Sequence, residues 1–180
     1  MFNQSEIGSK YFRVIALAIS LAFFSIGVSH TAPARSSQQV AVVGKLYQAY
    51  AWELFANSDS PFGKSLVDEG HATLRRYFDP VLASLIVRDR RCAERSGELC
   101  NLDFDPIFAS QDPGAMDMSI RPATDSIVTV EFTYPGNGER IRLDYHFVRS
   151  NGVWRIGDIQ YFGSMRTSLR QILSHQIAAS

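Results

Sequence analysis

The chain has 180 residues, 46% of them hydrophobic and 20% charged, which is the composition of a globular protein with one domain. Its 18 basic residues balance its 18 acidic residues, which excludes a nucleic-acid binder that relies on a strongly basic overall field and excludes an acidic solvating protein. Two cysteines are too few for a disulfide scaffold or for a zinc ribbon with four ligands.

Residues 1–34 have the organisation of a secretory signal peptide. Two basic residues precede an uncharged, mostly apolar run over 14–29, which is shorter than the roughly 20 residues of a transmembrane helix. Small residues follow and predict cleavage after Ala34, with cleavage after Ala32 or retention as an N-terminal anchor as alternatives. We therefore expect an exported protein, periplasmic or secreted, whose mature domain spans 35–180 and keeps no stable membrane anchor.

Export determines how Cys92 and Cys100 are interpreted. In a reducing cytosol, two thiols at this spacing suggest a metal or redox pair, whereas in an oxidising compartment they suggest a disulfide. We predict a disulfide between Cys92 and Cys100, with free thiols and an intermolecular bridge as the alternatives. Closing so short a loop would contribute on the order of 2–3 kcal/mol to stability.

The first half of the mature chain has the apolar periodicity of helices. This spacing predicts a helix over 37–56 and a weaker one over 64–76. Asp79 as a cap and Pro80 at the first helical position predict a third helix that runs to about Arg95. The arginines near its end fit the helix dipole, so they require no ligand to explain them.

The segment 101–124 is irregular and rich in Asp and Pro, with room for one short strand over 115–121. Long loops of this kind in small domains are often functional. Alternating apolar and polar residues then predict strands over 126–134 and 141–147, joined by a hairpin loop at 135–138.

The two hairpins that we predict have defined registers. The first register pairs Val130 with Leu143 and places Glu131 opposite Arg142 on the polar face, which is a favourable cross-strand pair. The second hairpin turns at an Asn-Gly pair at 151–152, the strongest hairpin signal in the chain. Its register pairs Phe147 with Ile156, and Tyr145 with Asp158.

A last amphipathic helix is predicted over 166–177. The order is therefore three helices, at least three antiparallel strands and one helix. Elements separated in this way predict a single α+β domain in which N-terminal helices pack on a curved antiparallel sheet.

This architecture resembles the nuclear-transport-factor-2-like (cystatin-like α+β) superfamily. Three short motifs, LDFDP at 102–106, WRIGDI at 154–159 and SLR at 168–170, are similar to those of the secreted bacterial family known as domain of unknown function 3828. The resemblance covers roughly 40–173 and implies a cone-like cavity between the sheet and the helices. Some members of the superfamily use that cavity for proton transfer or hydrolysis, and many only bind ligands.

Asp158 is the first candidate for chemistry, because the predicted register places its carboxylate on the apolar face. Such a group is either a general base or ligand anchor in a cavity, or a structural hydrogen-bond acceptor. We favour the structural role, because the sequence places no second titratable group beside it. The candidate pocket residues are Asp158, Tyr145, Trp154, Asp103 and Asp105.

Motifs for other chemistry are missing from the sequence. The loop aspartates fail the calcium-loop spacing, and the histidines of the mature chain lack the i, i+4 spacing of a zinc helix. The sequence also lacks a Gly-x-Ser-x-Gly elbow, a glycine-rich phosphate loop and a basic-aromatic stripe for nucleic acid. We therefore predict no metal, no cofactor, no nucleic-acid partner and no catalytic residue set.

Three functions are compatible with these features. The first is an exported, non-enzymatic protein that binds a small ligand or a protein partner. The second is a small hydrolase or isomerase that uses Asp158 with Tyr145 in a cavity. The third is an immunity-like protein that binds a toxin. We favour the first, because a cavity fold is expected and a convincing catalytic set is not.

Overall fold

A computed structural model describes residues 35–55 and 63–175, so the predicted signal peptide lies outside the described residues. The fold is α+β, as predicted, with helices on a four-stranded antiparallel sheet in the order β1-β2-β3-β4. The helices are Arg35–Tyr50 (α1), His71–Leu74 (α2), Pro80–Ser96 (α3) and Leu169–Ser174 (α4). The strands are Met116–Thr124 (β1), Ile127–Thr133 (β2), Arg140–Ser150 (β3) and Val153–Tyr161 (β4).

The helical half follows the sequence prediction except in one segment. The helix predicted over 37–56 is present as α1, which passes into a 3₁₀ turn at Ala51–Leu54. The continuous helix predicted over 64–76 is wrong, because the chain forms a 3₁₀ turn at Leu66–Asp68 and then the single turn of α2. Gly70 separates the two with an extended backbone, at ψ 156°, which a continuous helix cannot contain.

Helix α3 begins and ends as its sequence predicts. Asp79 Oδ1 accepts a hydrogen bond from Leu82 N at 2.7 Å, and Pro80 occupies the first turn. Gly97 ends the helix in the left-handed conformation, with φ 73°. The segment before α3 joins the edge of the sheet, since Asp79 N donates to Ile156 O at 2.9 Å.

The hairpin between β2 and β3 has the predicted register. Val130 pairs with Leu143, and Glu131 lies opposite Arg142. Residues on the inner face of these strands are buried against the helices, so the apolar alternation places the core correctly. The short strand predicted over 115–121 is also present, as β1.

The predicted register of the second hairpin is wrong beyond its first pairs. Phe147 pairs with Ile156, as predicted, but Tyr145 pairs with Ile159 and Asp158 pairs with His146. The extra residue is Gly157, which forms a β-bulge and moves every later residue of β4 to the opposite face. Asp158 therefore does not lie on the apolar face opposite Tyr145.

The packing around the bulge favours a glycine at this position. A Cβ at position 157 would lie 2.9 Å from Val148 Cγ1, so any larger residue would require the Val148 side chain to shift. With the bulge, Ile156 and Ile159 are both fully buried although they are three residues apart. The bulge therefore allows both isoleucines to be buried in the core, although a regular alternation of buried and exposed residues along β4 would expose one of them.

Asp158 connects the bulge to helix α4. Its Oδ1 accepts hydrogen bonds from Arg170 N and Ile159 N, both at 2.9 Å. Arg170 in turn donates from its guanidinium to Gly157 O at 2.6 and 3.0 Å and pairs with Asp79 at 3.2 Å. The carboxylate is therefore a structural acceptor at the start of α4, where backbone N–H groups lack helical partners.

Replacing Asp158 with alanine is expected to lower the melting temperature by roughly 5 °C, because it leaves Arg170 N without its acceptor. Asp158→Asn keeps one acceptor oxygen, so its melting temperature should lie between those of the wild type and the alanine variant. Calorimetry of the three proteins measures this. An alanine variant that melts at or above the wild-type temperature would contradict the structural role.

Candidate functional site

A cavity of about 1030 Å³ lies between the end of α1, one side of α3 and the loop that follows α3. The 3₁₀ turn after α1 contributes Trp52 and Glu53 to its wall, and α3 contributes Ile86 and Asp89. The loop contributes a third wall, which includes Asp103, Phe104 and Asp105. Ser65, Val67 and Asp68 form a fourth part of the wall, so four separate segments converge on one space.

The predicted disulfide between Cys92 and Cys100 is confirmed and holds the loop against α3, with the two Cα atoms 6.1 Å apart. Asp89 reinforces this attachment, because its two carboxylate oxygens accept hydrogen bonds from Asn101 N at 2.9 Å and Leu102 N at 3.2 Å. A disulfide of this kind is typical of proteins in oxidising compartments. The disulfide also attaches the start of the loop to α3, next to the cavity.

Asp105 shapes the loop from within. Its Oδ1 accepts hydrogen bonds from Ile107 N at 2.8 Å and Phe108 N at 3.0 Å, as in an Asx turn. The backbone of Asp105 also bonds to Ser110 O, at 2.9 Å. The loop expected from the sequence to be irregular is thus closed by its own hydrogen bonds, and it holds Asp105 at the cavity.

Glu53 is the most unusual side chain of the cavity. It is only 7% exposed, and its Oε1 accepts a hydrogen bond from Leu66 N at 2.9 Å. Its Oε2 is buried and accepts no N–H hydrogen bond from the described residues, while the Asp105 carboxyl and the Ser65 side chain lie within hydrogen-bonding reach of the Glu53 carboxyl. A buried carboxyl group costs free energy, and natural proteins keep such groups mainly where function needs them.

Burial raises the pKa of Glu53 from the ordinary 4.5 to about 9, and interaction with the Asp105 carboxyl adds to the increase. The hydrogen bonds from Leu66 N and from the Ser65 side chain oppose this shift without cancelling it. Glu53 is therefore a neutral carboxylic acid at pH 7. It can donate a hydrogen bond from one oxygen, or release its proton when a cation arrives.

Three buried tyrosines support the loop from the core. Tyr47 OH donates to Ile107 O at 2.6 Å, so in its 2.9 Å contact with Tyr145 OH it acts as the acceptor. Tyr161 OH donates to Pro106 O at 3.1 Å. Burial raises the pKa of all three hydroxyls above the ordinary 10.0, so they remain neutral donors.

Of the candidate pocket residues, Asp103 and Asp105 line the cavity, whereas Tyr145, Trp154 and Asp158 do not. Tyr145 lies in the core behind the loop. Trp154 lies near the β3–β4 turn, with the guanidinium carbon of Arg149 4.3 Å from its ring centroid. The structure therefore does not bring Asp158 and Tyr145 together in this cavity, and they are not cross-strand partners.

The cavity has an acidic lining and an apolar rim. Among the described residues, six carboxyl groups and one guanidinium group, that of Arg90, line the cavity. Arg90 already forms an ion pair with Glu94 at 3.4 Å and donates a hydrogen bond to Glu69 O at 3.2 Å. Phe55 and Leu99 border the space and are 86% and 70% exposed. The carboxyl residues of the lining are Glu53, Asp68, Asp89, Asp103, Asp105 and Asp112.

Within 35–55 and 63–175, no three His, Cys, Asp or Glu side chains are arranged to hold a metal ion. None of the helices in these two ranges has the length and apolarity needed to cross a bilayer. Comparison of the chain with protein-family models, with curated proteins and with solved structures finds no match.

Proposed function

We propose that this chain is an exported, non-enzymatic binding protein whose cavity holds a small organic cation with an apolar body. The observation that carries the proposal is Glu53, a buried carboxyl at the cavity wall that lies next to a second carboxyl, that of Asp105. A ligand amine could donate hydrogen bonds to this pair of carboxyl groups. It would also convert a costly buried acid into one member of an ion pair.

The remaining lining supports the same ligand class. The excess of carboxyl groups over guanidinium favours positive charge in the cavity. The aromatic side chains of Trp52, Phe55 and Phe104 offer an apolar surface and ring faces that attract cations. Pockets that combine apolar walls with a few polar groups are typical of small-molecule sites.

Export is the second half of the proposal. The Cys92–Cys100 disulfide supports it, because such bonds persist in oxidising compartments. The signal peptide over 1–34 and the resemblance to domain of unknown function 3828 stay predictions.

Calorimetric titration with tryptamine at pH 8 tests the ligand class, because tryptamine joins an ammonium group to an apolar ring. We expect a dissociation constant on the order of 1 mM or tighter. Tryptophol, which replaces the amine by a hydroxyl, should bind more weakly, and indole-3-propionate, which is an anion, should not bind. Glu53→Gln should weaken tryptamine binding about tenfold, because a charge-assisted hydrogen bond is lost.

Glu98→Gln is the matched control, since Glu98 is solvent-exposed and does not line the cavity. It should bind tryptamine like the wild type. Equal binding of the cation and the anion, or wild-type affinity in Glu53→Gln, would contradict the proposal.

An acid–base enzyme is the second candidate, because a neutral carboxylic acid next to a second carboxyl is an arrangement that general acid catalysis uses. In this structure the pair would be Glu53 and Asp105 in place of Asp158 and Tyr145. Hydrolysis of 4-nitrophenyl acetate that is retained in Glu98→Gln and lost in Glu53→Gln would favour this candidate over simple binding.

A further inference from the structure

A second, separate groove of about 440 Å³ lies on the surface beside α3. The groove is lined by three arginines that are spaced three and four residues apart and so share one face of the helix, Arg88, Arg91 and Arg95. His71 and Ser84 also line the groove. It has no lining residue in common with the acidic cavity.

The arginines of this groove form no ion pair within the described ranges, and the same is true of Arg75, Arg76, Arg149, Arg155 and Arg166. Within the described ranges, Arg90, Arg121, Arg140, Arg142 and Arg170 form ion pairs with Asp or Glu side chains. No ion pair is formed there by Arg88, Arg91 or Arg95, although Arg88 donates to the backbone carbonyl of Leu173. Positive charge therefore accumulates along this face of α3.

The helix dipole does not account for this arrangement. Stabilisation of cations by the dipole is confined to the last turn of a helix, and α3 ends at Ser96. Only Arg95 lies in that turn, while Arg88 and Arg91 lie further from the end. The helix dipole thus stabilises only one of the three arginines, Arg95.

His71 is held in place at the groove. Ser84 Oγ donates its only proton to Pro80 O at 2.7 Å, so in its 3.1 Å contact with His71 Nε2 the imidazole is the donor. This bond fixes the imidazole ring beside the arginines. The groove therefore combines three guanidinium groups, one of which donates to Leu173 O, with one oriented ring.

We propose that this groove binds a phosphate group, with Arg88, Arg91 and Arg95 as its ligands. Guanidinium groups suit phosphate because their planar N–H donors pair with two oxygens at once. A phosphate group offers the multiple oxygens and the negative charge that a row of unpaired guanidinium groups can satisfy together. The phosphate can belong to a free ion or to a lipid headgroup, and the test distinguishes these sources.

The first measurement is calorimetric titration of the disulfide-bonded protein with inorganic phosphate at low ionic strength, with acetate as the comparison anion. We expect phosphate to bind at least tenfold more tightly than acetate. Arg91→Gln should weaken phosphate binding about tenfold, because Arg91 is exposed and its replacement breaks no ion pair of the described residues. Arg166→Gln, an exposed arginine outside the groove, is the matched control and should bind like the wild type.

The second measurement is sedimentation with vesicles of phosphatidylglycerol or of phosphatidylcholine. Binding to the anionic vesicles that is lost in Arg91→Gln assigns the site to lipid headgroups. Binding of inorganic phosphate without sedimentation assigns it to a free phosphate. The proposal would be overturned if the wild type bound neither inorganic phosphate nor the anionic vesicles. It would also be overturned if acetate bound as tightly as phosphate, or if Arg91→Gln kept the affinity of the wild type.

Discussion

Replacing Cys92 and Cys100 together by alanine is expected to lower the melting temperature by about 5–10 °C. The disulfide closes a loop with a sequence separation of 8, and loss of such a cross-link costs on the order of 2–3 kcal/mol. Alanine is the suitable replacement because Cys92 is buried, so a serine would add an unsatisfied hydroxyl. Differential scanning calorimetry measures the change.

The same substitution should also weaken ligand binding in the cavity. Cys100 immediately precedes Asn101 and Leu102, whose backbone N–H groups are held by Asp89. Without the cross-link, the loop that positions Asp105 has one fewer attachment to α3. Reduction of the wild type should reproduce the melting temperature of the double variant and leave that of the variant unchanged. A double variant as stable as the oxidised wild type would show that the loop is held by other contacts.

Glu53→Gln is expected to stabilise the protein at pH 8 by several kcal/mol, about 1.4 kcal/mol for each pH unit above the ordinary pKa of 4.5, while it weakens ligand binding. The folded protein keeps the Glu53 proton up to about pH 9, whereas the unfolded chain releases it near the ordinary value of 4.5. Between these values the folded state binds more protons, so the contribution of Glu53 to the free energy of unfolding falls as pH rises. The glutamine side chain does not titrate, so the free energy of unfolding of the variant lacks this decrease with pH.

Glutamine also keeps an oxygen that can accept the hydrogen bond from Leu66 N. The stability difference between variant and wild type should therefore be small below about pH 5 and grow as pH rises toward 9. Urea unfolding at several pH values gives this difference directly. Glu98→Gln should show no such trend, and a Glu53→Gln variant less stable than the wild type at pH 8 would contradict the assignment of a neutral buried acid.

Features encoded by neighbouring residues were predictable from the sequence. Asp79 and Pro80 start α3 because a cap and a first-turn proline act locally. The β2–β3 register follows from strict alternation on both sides of the loop 135–138. The disulfide follows from two cysteines at short spacing combined with an oxidising compartment.

The candidate site was less predictable, because it depends on contacts between distant segments. The bulge at Gly157 reflects the burial of Ile156 and Ile159 together, which the alternation of β4 does not encode. Glu53 is a polar residue at the end of a predicted helix, where most glutamates are solvent-exposed. Its burial arises from Leu66 and Asp105, which only the folded chain brings close to it. The apolar sequence around it, Ala51 to Phe55, was the sole local signal.

We propose that Glu53 is a neutral acid in a cavity that receives a cationic ligand. The ¹³C chemical shift of the Glu53 side-chain carboxyl, followed by NMR from pH 4 to pH 10, tests it most directly. We predict a pKa of about 9 for Glu53 in the free protein. Saturating tryptamine should lower that pKa, because the bound ammonium group favours the carboxylate. A Glu53 pKa in the ordinary range near 4.5 that tryptamine leaves unchanged would contradict the claim.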